Sequence, residues 1–287
     1  MRVIRSSKKM QAICLGLKRK GRKIAFVPTM GALHEGHLSL VRRARKLGDT
    51  VVVSVFVNPT QFAPGEDFAR YPRPLSADKR LLATEKVDLL FLPTASDIYS
   101  TDHSTFVDVE EISSILEGAA RPGHFRGVAT VVAKLLNIVC PDVAVFGQKD
   151  GQQVAMIKSM VRHLNFPARI VVAPTVRERS GLAMSSRNRY FNQEQLSRAS
   201  CIHRGMRAAE ALAIAGEVDP AEIEAAARSE IEPTPGVRID YIAILDPDDL
   251  RTLDRVEGKA GIFVAVWLDG VRLIDNIIVR PSRRGRK

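Results

Sequence analysis

Along the first 175 positions, apolar residues gather in short runs separated by longer amphipathic stretches. β-Branched and aromatic residues concentrate at 24–27, 51–57, 89–92, 143–146 and 170–172, and such near-continuously apolar runs predict strands covered on both faces. Between them, 38–47, 76–86, 128–139 and 152–164 carry apolar positions at helical spacing, so strands alternate with helices as in a parallel sheet. After about residue 176 the pattern changes to Ala-rich helices, expected over 195–215 and 220–231, then alternating strands over 237–244, 262–268 and 272–279. The prediction is an α/β domain over 1–175 and a smaller C-terminal α+β domain over 176–287, with no internal repeat. Ligands of open parallel sheets bind beyond the carboxyl ends of the strands, so the chemistry is expected in the loops that leave those ends.

Composition changes this picture little: 287 residues, 45% hydrophobic and 26% charged, are ordinary for a folded protein with a substantial core. A net charge of +11 and a pI near 9.9 invite a nucleic-acid or anionic-membrane reading. The charge sits at the ends, however. Residues 1–23 hold nine Lys/Arg and no acid, 280–287 hold five more, and 24–279 balances 29 basic against 32 acidic residues. The ends read as a solvated helix face (Lys18, Arg19, Lys20, Arg22, Lys23) and a frayed tail (Arg280, Arg283, Arg284, Arg286, Lys287). With only 6% aromatic residues for base stacking, a nucleic-acid partner is not expected. Cys14, Cys140 and Cys201 show no metal-site or disulfide spacing, and no apolar run suits a signal peptide or a membrane span, so a cytoplasmic protein without a membrane partner is expected.

Four loops then stand out. PTMGALHEGH (28–37) follows the first predicted strand and opens a helix; its free N–H groups and dipole favour an anion, and His34 and His37 can both face a phosphate placed there. Donors of this kind suit adenylyl transfer, where negative charge grows on the α-phosphate and the departing pyrophosphate. In FVNPTQF (56–62) two neutral amides, Asn58 and Gln61, follow an apolar strand across a proline break, a place to read hydroxyl or carboxylate groups or simply a turn. FGQKDGQQ (146–153) sets Lys149 at a helix start, either against phosphate or in solvent, with Asp150 as cap. PTVRE (174–178) and GLAMSSRNR (181–189) put hydroxyls and guanidinium groups at the junction of the two regions, as a phosphate clamp or as a polar linker.

In this order PTMGALHEGH, FVNPTQF, FGQKDGQQ and GLAMSSRNR, with YPR (71–73), RPGHFRGV (121–128) and LIDNI (273–277), closely resemble the pantothenate synthetase (pantoate–β-alanine ligase) family over nearly the whole chain. The resemblance implies a Rossmann-like nucleotide-binding domain with a C-terminal lid, usually in a homodimer. It implies that ATP, with Mg²⁺ on its phosphates, adenylates pantoate, and that β-alanine then displaces AMP. It assigns His37 as proton donor with His34, Lys149 and Arg187 as the other catalytic groups. ATP would be met by Met30, Gly31, Ala32, Leu33, His34, Glu35, Gly36, His37, Gly147, Gln148, Lys149, Asp150, Val176, Met184, Ser185, Ser186 and Arg187, and pantoate by Gln61, Gln153, Asn58 and Tyr71. No protein ligand for the metal is assigned, with Asp78 as the carboxylate considered. Two positions depart from the family pattern, Gln148 for glutamate and Gly151 for an aromatic residue, and glycine, costing about 1 kcal/mol against alanine inside a helix, predicts a looser helix start there. Rival readings are another adenylyl transferase on the same scaffold, a fragment of an aminoacyl-tRNA synthetase, and an RNA-binding protein.

Overall fold

A computed structural model describes residues 1–63 and 65–281. Strands β1 (Arg2–Ile4), β2 (Ile24–Thr29), β3 (Thr50–Val55), β4 (Leu89–Phe91), β5 (Val143–Gly147) and β6 (Arg169–Ala173) form one sheet in the order β1-β4-β3-β2-β5-β6, every pair parallel. Along β2 and β3 both sets of alternate residues are buried, Ala25 and Val27 on one face, Ile24 and Phe26 on the other, as a sheet covered on both sides requires. From β2 the chain steps outward to β3 and β4, then returns to add β5 and β6 on the far side of β2. The strand order therefore reverses between β2 and β5, and the carboxyl ends of those two strands flank the switch point where such sheets bind ligands. A second sheet, antiparallel, joins β7 (Val237–Leu245), β8 (Ala260–Leu268) and β9 (Val271–Val279), with helices Cys201–Ala215 and Pro220–Ile231 contributing Ile202, Met206, Ile223 and Ala227 to its core.

The chain divides into two compact units: 1–147 with 156–174, and 148–155 with 175–287. The segment 148–155 goes with the second unit, whereas the sequence places it in the first domain. Its partners there are described below.

Several boundaries differ from expectation for local reasons. Strand β1 was not expected, being three residues in a basic stretch; it is an edge strand paired only with β4. Strand β3 ends at Val55 rather than 57, because Pro59 opens a 3₁₀ turn capped by Asn58. The helix expected over 195–215 is two, Gln193–Ala199 and Cys201–Ala215, meeting at Ser200. At the basic N-terminus, Lys18 is not merely solvated: it pairs with Asp142 at 3.1 Å and donates to the Cys140 carbonyl, leaving Arg19 and Lys20 at the helix end. Of the tail, Arg283, Arg284, Arg286 and Lys287 lie outside the described residues. No helix among the described residues is long and apolar enough to cross a membrane.

Candidate active site

In the first unit, the loop after β2 is a chain of internal hydrogen bonds. The Thr29 hydroxyl donates to the Ser54 carbonyl and accepts from the Gly31 N–H. Gly31 (φ 82°) and Ala32 (φ 51°) are both left-handed, which turns the next two N–H groups toward one carboxylate. That carboxylate is Asp78, 1% exposed, on the first turn of helix Leu75–Thr84; it accepts from Ala32 N at 3.0 Å and Leu33 N at 2.8 Å. A Cβ on Gly31 would stand 3.1 Å from an Asp78 oxygen and 3.0 Å from the Val55 side chain, so only glycine fits without displacing them.

The two histidines follow. His34 is the N-cap of helix Glu35–Arg45: its Nδ1 accepts from Gly36 N at 3.2 Å, while its own N–H reaches His37 Nδ1 at 3.4 Å. This reciprocal cap starts the helix three residues before the predicted boundary. The ring centroids lie 4.2 Å apart. A backbone N–H can only donate, so Nδ1 of each ring is an acceptor and each neutral imidazole carries its proton on Nε2.

The loop's backbone is used differently from the sequence reading. The N–H groups of Gly31, Ala32, Leu33, His34, Gly36 and His37 are all directed at partners inside the protein. The free helix-terminal N–H cradle expected for the phosphate is therefore largely spent on holding the loop's own shape, and side-chain Nε2–H groups are what the histidines add.

Beside this loop stand the amides. Gln61 Nε2 lies 2.8 Å from Met30 Sδ, and its Oε1 accepts from Asn58 Nδ2 at 3.2 Å. Asn58, 1% exposed, spends the rest of its carboxamide on Thr60, the Tyr99 hydroxyl and the Gly127 carbonyl. Through its bond to Oε1 it helps to orient Gln61. The Gln61 carbonyl is gripped in turn by His124 Nδ1 at 2.8 Å and Arg121 Nη2 at 3.3 Å, and Arg121 is paired twice, at 2.7 Å, with Glu66. Since the carbonyl only accepts and the guanidinium only donates, His124 is neutral with its proton on Nδ1; burial, and then Arg121, lower its pKa from 6.5 to about 4. Gly127 lets helix His124–Val139 approach: a Cβ there would be 2.3 Å from the Thr60 carbonyl oxygen. Tyr71, buried, packs edge-on against Phe62 at 5.9 Å.

In the second unit, Gln148–Asp150 form a 3₁₀ turn leading into helix Gly151–His163, and Lys149 Nζ lies 3.3 Å from Asp150. Asn276, on β9, donates from Nδ2 to the Gln148 and Lys149 carbonyls and accepts from Gln148 Nε2. These bonds join the turn before Gly151 to β9, within the unit that holds 148–155 and 175–287. Gly147 closes β5, and Gln153 is half-buried in the helix that follows Gly151. The segment 176–184 folds back on itself, with Met184 N donating to the Val176 carbonyl, and Arg177 between them pairs with both oxygens of the buried Asp275. Ser185 then caps the 3₁₀ turn Ser186–Tyr190, which carries Arg187.

Asp78 does not suit magnesium: its buried oxygens are already turned to two N–H donors. No group of three or more His, Cys, Asp or Glu among the described residues could hold a metal ion. Among the described residues there is thus no ready-made all-protein cage for a cation, and magnesium is usually held by one or two carboxylates together with substrate phosphates. Glu66, Arg121, His124 and Asn276 carry no role in the sequence reading, and Asp78 only that of a candidate carboxylate; the signal that marks them is their place in or beside the YPR, RPGHFRGV and LIDNI motifs.

Known proteins match this chain over nearly its whole length. The family profile described as pantoate-beta-alanine ligase matches residues 2–278. The chain is 51% identical to a pantothenate synthetase from Moorella thermoacetica, over 92% of this chain and 94% of that protein, and 54% identical to one from Acidobacterium capsulatum, over 90% and 86%. Its structure superposes on a crystal structure of pantothenate synthetase from Thermus thermophilus with a TM-score of 0.92 at 45% identity, covering 98% of this chain and 100% of that one. A pantoate-beta-alanine ligase from Francisella tularensis, complexed with beta-gamma ATP and β-alanine, gives 0.79 at 38% identity, covering 97% of each. With a match spanning nearly every residue and a shared two-sheet architecture, the chain belongs to the pantoate–β-alanine ligase family.

Proposed function

We propose that the chain makes pantothenate from pantoate, β-alanine and ATP in two steps. A pantoate carboxylate oxygen attacks the α-phosphorus; the new P–O bond forms as the bond to pyrophosphate breaks, giving pantoyl adenylate. The β-alanine amine then attacks the acyl carbon; a C–N bond forms, the C–O bond to AMP breaks with the electron pair leaving on AMP, and the nitrogen gives up a proton. Adenylation turns a poor leaving group into AMP, and excluding water protects the mixed anhydride.

The observation that carries this reading is the pair of rings at 4.2 Å, each locked through Nδ1 so that Nε2–H is the donor. Two such donors, His34 and His37, meet the charge that grows on the phosphates, each contributing about 3 kcal/mol to the first step. Lys149 and Arg187 neutralise pyrophosphate, with Ser185 and Ser186 as hydroxyl donors, while Gly147 and Asp150 meet the ribose and the Val176 backbone meets adenine. Met30 and the 31–36 turn pack against the nucleotide. Gln61, Gln153 and Tyr71 bind pantoate, and Asn58 acts through Gln61. Magnesium enters as part of the nucleotide substrate. The enzyme works as a homodimer in the cytoplasm.

The test is pyrophosphate release from ATP and Mg²⁺ with pantoate alone, β-alanine alone, and both. Release that needs pantoate, followed by AMP and pantothenate once β-alanine is added, supports both half-reactions. Release indifferent to pantoate overturns the acceptor assignment.

A further inference from the structure

The Asn276 carboxamide is fully used. It is 3% exposed; Nδ2 donates to Gln148 O at 3.0 Å and Lys149 O at 2.8 Å, and Oδ1 accepts from Gln148 Nε2 at 2.7 Å. Its neighbour Asp275 is held by Arg177 and accepts the Asn276 N–H at 2.8 Å, so the strand bearing the carboxamide is itself fixed. The carboxamide lies directly over Gly151. A Cβ at 151 would come within 2.9 Å of Asn276 Cγ, Nδ2 and Oδ1 together, closer than real Cβ contacts come, and three hydrogen bonds keep the short side chain from moving aside. Two neighbouring positions thus meet on one residue: Gln148 supplies the N–H that the Asn276 oxygen accepts, and Gly151 leaves the space the carboxamide fills.

We propose that Asn276 is a positioning residue for the nucleotide, fixing the carbonyls of Gln148 and Lys149 and with them the backbone from which the Lys149 side chain rises, and that glycine at 151 is the residue this arrangement requires. The inference rests on Lys149 being a phosphate contact. Asparagine is suited to the task because it both donates twice and accepts once; aspartate would set a charge against two carbonyl oxygens.

The test is initial-rate pyrophosphate release on Asn276→Ala, Asn276→Asp, Gly151→Ala, the double variant Gly151→Ala/Asn276→Ala, and Lys149→Ala, with circular dichroism as the check on folding. Loss of two or three hydrogen bonds in Asn276→Ala raises KM for ATP about tenfold with KM for pantoate unchanged, and Asn276→Asp is worse than alanine. Gly151→Ala raises KM for ATP alone but adds nothing in the Asn276→Ala background, where the carboxamide it collides with is gone. A purely structural residue would lower stability without this ATP-specific, non-additive pattern. Additive effects, or an unchanged KM for ATP in a folded Asn276→Ala protein that Lys149→Ala nonetheless impairs, overturn the positioning role. An unchanged KM in Lys149→Ala overturns the phosphate contact, and the inference with it. If Asn276→Ala does not fold, Gly151→Ala and Asn276→Asp carry the same comparison.

Discussion

Replacing Asp78 by asparagine tests what holds the histidine loop. The native carboxylate accepts two consecutive N–H groups at 3.0 and 2.8 Å with almost no solvent contact. An asparagine keeps one acceptor oxygen and turns an NH₂ group toward the other N–H, so one bond to a charged acceptor is lost, one is weakened, and a buried donor is orphaned. Hydrogen bonds to charged groups are worth about 1.5–3 kcal/mol and a stranded buried group costs about 1–3, so the substitution is expected to cost about 3 kcal/mol. Left-handed Ala32 makes matters worse, since a non-glycine residue there stores about 1 kcal/mol of strain that Asp78 no longer holds in place. Urea unfolding of the intact chain reads the stability loss, and single-turnover pyrophosphate release reads the displacement of His34 and His37. The expected outcome is a lower unfolding midpoint and an adenylation rate reduced more than tenfold, with neither restored by added Mg²⁺. Were Asp78 a metal ligand, excess Mg²⁺ would recover the rate; recovery of that kind, or wild-type stability in the variant, refutes the loop-holding argument.

His37→Ala is expected to slow adenylate formation about 10²-fold or more through loss of one Nε2–H donor, and an unchanged first half-reaction would sink the assignment. His124 has a folded-state pKa of about 4 against 6.5 in the unfolded chain, so its stabilising neutral form is fully present above pH 6.5 and the folded state loses stability as pH falls toward 4. The full loss is about 3 kcal/mol. His124→Gln keeps both contacts without titrating, and urea melts across that window should show its deficit against wild type shrinking with acid; parallel curves would contradict the burial argument. Burial, with Cys140 as a lesser contributor, pushes the Cys14 thiol up to about 12, and burial also raises Cys201, so at about pH 8 iodoacetamide should leave both unmodified in the native protein, read by mass spectrometry.

What the sequence made legible was whatever depends on periodicity and order. The central strands β2, β3 and β5 announce themselves because they are buried on both faces and so are apolar throughout, whereas β1, a three-residue edge strand, offers too short a pattern to detect. The helix after PTMGALHEGH begins earlier than its apolar spacing suggests because its cap is histidine, a residue whose capping depends on where the ring points. At the site, residues within named motifs were found, but not which of their atoms were already committed. The sequence marks Asn58 as an amide at a strand end but shows neither its five contacts within the protein nor the two N–H groups that meet on Asp78. Contacts between residues far apart in the chain, such as Asn276 with Lys149, leave no spacing to read.

The choice of histidine at the helix cap carries an evolutionary consequence. Asn, Ser and Asp are the strongest caps, and substituting one for His34 would be expected to leave the helix as stable as before or more so. Screening variants for thermal tolerance alone would therefore favour His34→Asn, and would silently select a protein that folds better while losing the imidazole proposed to meet phosphate. Position 34 is thus a place where selection for robustness and selection for turnover pull in opposite directions, and only an activity-coupled selection would keep the imidazole.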